Sequence, residues 1–244
     1  MERLDVVNDK LKLIQNTSGL TFGTDALLLA GYVSGKGGVG CELGAGSGII
    51  SMLLLSREKL RRADAVEVQG SYAELIRRNA ELNSLADRLS SIHADIRDFG
   101  NAGAYDTVYT NPPYMKNDSG KANMTDDKNI ARHEIMGDIY DFCAAAKRLL
   151  RFGGSYYAVY RPDRLADLMD AMRQNGLEPK RITFVHADTE SESSMVLIMA
   201  RRGGKCGAVL TPPLIIYADK SHKEYTESMK YIDGNGSFPK VYMR

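Results

Sequence analysis

The stretch VGCELGAGSGIISMLLL, Val39 to Leu55, joins a short apolar run to a longer one through a turn in which every second residue is glycine. Val39 to Leu43 has the length of a buried strand, and Ser47 to Leu55 reads as a buried helix opened by glycines. A strand that feeds a helix through such a turn is the first unit of a parallel α/β sheet, and the ligand crevice of such a sheet lies at this junction. Glycines there let a ligand approach the backbone closely.

The same alternation continues outward. Ala63 to Val68 reads as a second strand, and Ser71 to Asn83 carries Tyr72, Leu75, Ile76 and Leu82 at helical spacing. Ser90 to Ala94 and Tyr105 to Thr110 are a third and a fourth strand. Asp138 is expected to cap a helix whose apolar stripe is Ile139, Phe142, Cys143, Ala146, Leu149 and Leu150, with Gly153-Gly154 as its stop. The strand Ser155 to Tyr160 follows, and Pro162-Asp163 opens a helix with Leu165, Leu168, Met169 and Met172 on its core face, closed by Gly176. Ile182 to His186 and Met195 to Met199 are joined only by the polar run Asp188 to Ser193, too short for a crossover helix, which predicts an antiparallel hairpin. The expectation is a Rossmann-like α/β fold: a seven-stranded, mostly parallel sheet with one antiparallel strand and helices on both faces.

Composition narrows the class. A chain of 244 residues with 43% hydrophobic and 26% charged content can bury a core without disulfides or metals. No apolar run approaches the length of a membrane span, and the start lacks a signal-peptide pattern, so a cytoplasmic, metal-free monomer is expected. Cys41, Cys143 and Cys206 are odd in number and widely spaced, which fits neither a disulfide framework nor a zinc site. A net charge of +1 does not announce a nucleic-acid binder, so a polyanion would have to meet local patches. Lys116, Lys121, Lys128 and Arg132 form the most interesting one, in a long polar segment from Tyr114 to Glu134 that reads as a substrate-facing lid.

Four acidic positions flank the glycine turn in the sequence. Glu42 precedes Gly44, Ala45, Gly46 and Gly48, and the spacing Gly-x-Gly-x-Gly differs from the Gly-x-Gly-x-x-Gly of nicotinamide enzymes. An acidic turn suits a cationic sulfonium and an ammonium better than a pyrophosphate, which favours S-adenosyl-L-methionine over a dinucleotide. Glu67, with Val68 after it, closes the second strand 23 residues after Gly44, where a carboxylate can hold ribose hydroxyls; dinucleotide enzymes do the same. Asp95-Ile96 follows the third strand and offers a carboxylate and an N–H to an adenine, or else caps a turn. Thr24-Asp25 precedes the apolar run AlaLeuLeuLeuAla and reads first as a helix cap, second as a contact to the methionine end of the cofactor.

The fourth strand ends in Asn111-Pro112-Pro113-Tyr114. Two prolines cannot extend a ladder, so the strand stops and displays its end. The Asn111 side-chain oxygen and the Pro112 carbonyl together can accept both hydrogens of an NH₂ group, and Tyr114 offers a stacking face for a planar base. A plain turn is the competing reading of Asn-Pro.

With these motifs in order, the chain resembles the class I S-adenosylmethionine-dependent methyltransferases that modify amino or amide nitrogens. Phe22 to Ala30, AlaArgHisGlu at Ala131 to Glu134, and ProProLeuIleIleTyr at Pro212 to Tyr217 followed by GluTyrThrGlu at Glu224 to Glu227 make it similar to the bacterial tRNA1(Val) adenine-37 N6-methyltransferase family. That resemblance covers nearly the whole chain. It implies an N-terminal extension (residues 1–35) packed near the cofactor site of a methyltransferase domain (residues 36–244), and an unpaired adenine of the tRNA anticodon stem-loop as acceptor. It implies also that Asn111, Pro112, Pro113 and Tyr114 serve the transfer while His93 and His133 are not its bases. Methylation of a protein glutamine, of a ribosomal RNA or DNA base, and a non-catalytic RNA-binding module are the alternatives. The glutamine enzymes place a sizeable helical domain before the glycine turn, where this sequence has about 40 residues.

Overall fold

A computed structural model describes residues 2–9, 11–16, 22–35, 37–100, 102–112 and 137–243. The chain opens with a hairpin of β1 (Glu2–Asn8) and β2 (Leu11–Asn16), followed by α1 (Thr24–Tyr32). The alternating part comprises β3 (Gly38–Leu43), α2 (Ile49–Ser56), β4 (Leu60–Glu67), α3 (Gly70–Leu82), β5 (Leu89–His93) and β6 (Tyr105–Thr110). Then come α4 (Ile139–Leu149), β7 (Leu150–Tyr160), α5 (Leu165–Gln174), β8 (Leu177–His186) and β9 (Ser193–Arg202), and finally β10 (Val209–Leu210), β11 (Leu214–Ile215) and α6 (Glu227–Asn235).

The sheet order is β10-β8-β9-β7-β6-β3-β4-β5, with β11 also paired to β8. The expected seven strands form its body, and among the described residues β9 is the one strand of this sheet running against the rest, between β7 and β8. Two short strands after β9, β10 and β11, extend the β8 edge in parallel and make the sheet nine-stranded. Neither was legible as a strand, because two residues of ladder leave no periodicity.

Each central strand is covered on both faces, so its side chains alternate between two apolar layers. In β7, Tyr157 and Val159 enter the layer of α1 and α2, while Tyr156 and Ala158 enter that of α4 and α5. The N-terminal hairpin joins the first layer through Leu11 and Leu13.

Local chemistry explains the boundaries. Asp138 caps α4 by accepting the N–H groups of Tyr140 and Asp141, and Asp141 in turn accepts the Asp138 N–H, a reciprocal box that satisfies three backbone donors. The stop expected at Gly153-Gly154 is placed differently. The helix ends at Leu149, Leu150 turns extended and pairs with Tyr105, and both glycines lie inside β7 where its register with β6 shifts. Pairing with β6 overrides the local signal. A second correction concerns α1: its N-cap is Gly23, without a side-chain cap bond, so Thr24 and Asp25 occupy the first turn and do not cap it.

Candidate active site

The C-terminal ends of β3, β4, β5 and β6 open on one edge of the sheet, and the residues between Leu43 and α2 form its tightest turn. The N–H groups of Gly44 and Ala45 both donate to the Val66 carbonyl at 3.0 Å, which ties the turn to β4. Gly44, Gly46 and Gly48 have φ of +67°, +54° and +79°, a region in which a side chain would be strained. A Cβ added at Gly46 would meet nothing described within 4 Å. The turn thus presents bare backbone at Gly46, a cradle against which a ligand could lie, while Gly44 and Gly48 pack against Phe142 and Ile76.

Glu67 braces this cradle. One carboxylate oxygen accepts the Gly46 N–H and the other the Gln69 N–H, both at 2.9 Å, which leaves acceptor capacity on each for a vicinal diol. The Glu67 carbonyl accepts the Ala94 N–H at 3.1 Å, joining the ends of β4 and β5. Val68 follows on the same rim, its carbonyl 3.1 Å from His93 Nε2. Asp95 accepts the Arg97 N–H at 2.8 Å and pairs with its guanidinium, which holds the Asp95 carboxyl below the usual range. Ile96 beside it is buried.

Glu42 is placed otherwise than an acid facing the turn. It is buried and points to α2, where it accepts the N–H of Ser51 at 3.0 Å and its hydroxyl as well, and that hydroxyl lies 2.7 Å from the Tyr109 hydroxyl. Desolvation pushes the Glu42 carboxyl up to about 8; bonds from Ser51 oppose the shift and the charge of Glu67 adds to it.

At the end of β6, Thr110 donates its hydroxyl to the Leu43 carbonyl at 2.8 Å and so fixes the distance between this strand end and the glycine turn. Asn111 follows. Its Nδ2 donates to Asp25 Oδ2 at 2.7 Å, while its Oδ1 is buried and has no partner among the described residues. Pro112 is buried behind it. Pro113, Tyr114, the segment to Glu134 and His133 lie outside the described residues.

Hydrogen bonds therefore tie the glycine turn to Glu67 and to the end of β6, and Asn111 at that end to Asp25 of α1, with Thr24 the residue before it. Sequence reasoning missed Asn79, which is wholly buried and links two parts of the rim: it exchanges bonds with the N–H and carbonyl of Ile14 at 2.7 and 3.1 Å and donates to the Ser47 carbonyl at 3.2 Å. Its signal was present, for Asn79 sits on the apolar stripe of α3, four residues after Leu75 and three after Ile76. A polar residue at such a position calls for a bonding partner.

Comparison with known proteins assigns the family. The family model of the methyltransferase small domain matches residues 17–175. The chain belongs to that family. This methyltransferase is 31% identical over 189 residues, 75% of its own length and 78% of the relative's, to a protein of Aeromonas hydrophila named tRNA1(Val) (adenine(37)-N6)-methyltransferase. Proteins of the same name from Phocaeicola vulgatus (30% identity; 72% and 74% of the two chains) and Pedobacter heparinus (25%; 91% and 93%) extend the likeness. The family resemblance expected from the motifs is borne out. Among solved structures, a protein described as a predicted O-methyltransferase from Agrobacterium tumefaciens superposes with a TM-score of 0.71 at 23% identity, over 88% of this chain and 98% of that one. A geranyl diphosphate C-methyltransferase from Streptomyces coelicolor gives 0.57 at 17%, over 73% and 80%. These two speak for the fold.

Proposed function

We propose that this methyltransferase transfers a methyl group from S-adenosylmethionine to the exocyclic amine of an adenine in a tRNA anticodon loop. One observation carries the chemistry: the Asn111 oxygen, buried and without a partner among the described residues at a strand end tied to the glycine turn, is an acceptor open to a donor. The names of the relatives support tRNA as the bearer of that donor.

The cradle fits the cofactor. The turn at Gly44, Ala45, Gly46 and Gly48 would hold its methionine part with help from Thr24 and Asp25, Glu67 its ribose, and Val68, Asp95 and Ile96 the adenine end. When bound, it supplies an electrophilic methyl on a cationic sulfur. The protein's own work is positional. Asn111 Oδ1 and the Pro112 carbonyl accept the two amine hydrogens, which turns a delocalised nitrogen lone pair toward the methyl group and avoids any need for a metal or covalent intermediate. Tyr114 stacks on the base, offsetting part of the cost of swinging it out of the loop. After transfer the acidified amine loses its proton to water. The extension of residues 1–35 belongs to this arrangement as a wall of the cofactor site, a reading supported by the Asn79 bonds from β2 to Ser47.

The test is incubation with methyl-labelled cofactor and separate pools of unmodified tRNA, ribosomal RNA, DNA and release factor, followed by nucleoside analysis. Label in N6-methyladenosine of tRNA is expected. Label in protein alone would replace this reading with glutamine methylation.

A further inference from the structure

We infer that Asp25 is a positioning residue that fixes which end of the Asn111 amide faces the target amine, an assignment that rests on the amine-methylation reading above. An asparagine amide has an acceptor end and a donor end of almost equal shape, and half a turn about its terminal bond exchanges them. Only one state can serve: with NH₂ turned to the substrate, donor would face donor and the amine would be expelled. Asn111 therefore needs a neighbour that distinguishes oxygen from nitrogen.

Asp25 does so. A carboxylate only accepts, and Asp25 stands in the first turn of α1, where backbone N–H groups face it. Oδ1 already accepts the Ala26 N–H at 2.9 Å. Oδ2 then calls for a donor, and Asn111 Nδ2 supplies it at 2.7 Å. The consequence is seen directly: Asn111 Oδ1 is left buried and unpaired among the described residues. Gly23 leaves space for this carboxylate, since a Cβ there would stand 2.9 Å from Asp25 Oδ1. The helix that carries Asp25 is anchored at its far end, where Lys59 Nζ donates to the carbonyls of Ala30 and Gly31 at 2.8 Å each. Before it, the Phe22 N–H is held by the Gln15 side chain at 2.8 Å.

The decisive variant is Asp25→Asn. It is isosteric and can hydrogen-bond to Asn111 in either rotational state, so contact and fold are kept while direction is lost. Turnover at saturating cofactor is expected to fall by roughly tenfold or more, the rate equivalent of one charge-assisted hydrogen bond, with melting temperature unchanged. The double variant Asp25→Asn with Asn111→Asp should regain most of that rate, because the pair is then reversed: the carboxylate at position 111 accepts from the amide at position 25 with one oxygen and keeps the other for the amine. Asn111→Asp alone, with two carboxylates face to face, should be poorer than the pair. Wild-type turnover in Asp25→Asn, or a double variant no better than either single one, overturns the assignment.

A readout independent of turnover is the side-chain NH₂ signal of Asn111 in protein labelled with ¹⁵N-asparagine, assigned by its loss in Asn111→Asp. One slowly exchanging pair is expected in the native protein and an averaged or doubled one in Asp25→Asn. A rapidly exchanging native signal refutes the role of Asp25 whatever the substrate is. Absence of methyl transfer by the native protein to any adenine amine, with that signal protected, instead refutes the functional reading on which it rests.

Discussion

Glu42 and Glu67 stand on adjacent strand ends in opposite surroundings, and their fates differ accordingly. Backbone N–H groups meet both oxygens of Glu67, which suits a carboxylate, whereas Glu42 is in a dry layer with Ser51 and Tyr109. With its native pKa raised to about 8 from an ordinary 4.5, Glu42 binds a proton more tightly folded than unfolded. Its contribution to stability is fully present below 4.5 and is lost as pH rises through 8, at a slope approaching ~1.4 kcal/mol per pH unit. Glu42→Gln should keep the bond to Ser51 without that loss, so thermal melts from about pH 5 to about pH 9 are expected to show the variant gaining on the native protein as pH rises. Asn111 makes a different prediction. Because its oxygen bonds to nothing among the described residues, Asn111→Ala sacrifices an acceptor for the substrate and one bond to Asp25. Methyl transfer is expected to disappear while calorimetry gives native affinity for S-adenosylhomocysteine; near-native turnover would contradict the acceptor role.

Among the elements, α3 shows how side chains can stand in for a strand. The free edge of β2 is bonded by Asn79 to Ile14 and by Asn83 to Lys12, each amide exchanging a donor and an acceptor with one residue as a neighbouring strand would. Asn79→Ala orphans these buried groups and should cost about 2–3 kcal/mol in urea denaturation. It should also weaken S-adenosylhomocysteine binding, since the Ser47 carbonyl of the glycine turn loses its donor. Asn83→Ala, at a partly exposed position, should cost less than half as much.

The same helix marks the limit of what was legible. Central strands such as β3 and β7 announced themselves because burial on both faces makes them largely apolar runs, and Asp138 announced a cap by a local bond. The β1–β2 hairpin did not: Leu4 and Val6 are 56% and 73% exposed, so β1 lacks a clean alternation, and its partner's edge is read from 65 to 71 residues away. Nor did the Asp25–Asn111 bond, which spans 86 residues and depends on how α1 lies over the rim. Residue type and spacing revealed the parts of the candidate site that adjoin one strand end; those that two distant segments make together needed the fold.

At the scale of the molecule, the crevice is assembled from four strand ends and α1, so a ligand that fills it binds only the folded chain. Such a ligand stabilises the native state by about 2.7 kcal/mol at about one hundred times its dissociation constant. In a domain of about 150–250 residues each kcal/mol raises the melting temperature by about 2–4 °C, which predicts a shift on the order of 5–11 °C with S-adenosylhomocysteine. NAD at equal concentration should give none, because the turn carries Gly-x-Gly-x-Gly spacing with a buried acid behind it. Glu67→Ala removes the brace on Gly46 together with the acceptor assigned to the ribose, and should abolish the shift at the same ligand concentration. If Glu67→Ala kept the full shift, the cofactor would have to be held elsewhere than in the glycine cradle. If NAD alone produced one, the dinucleotide reading of the cradle would return.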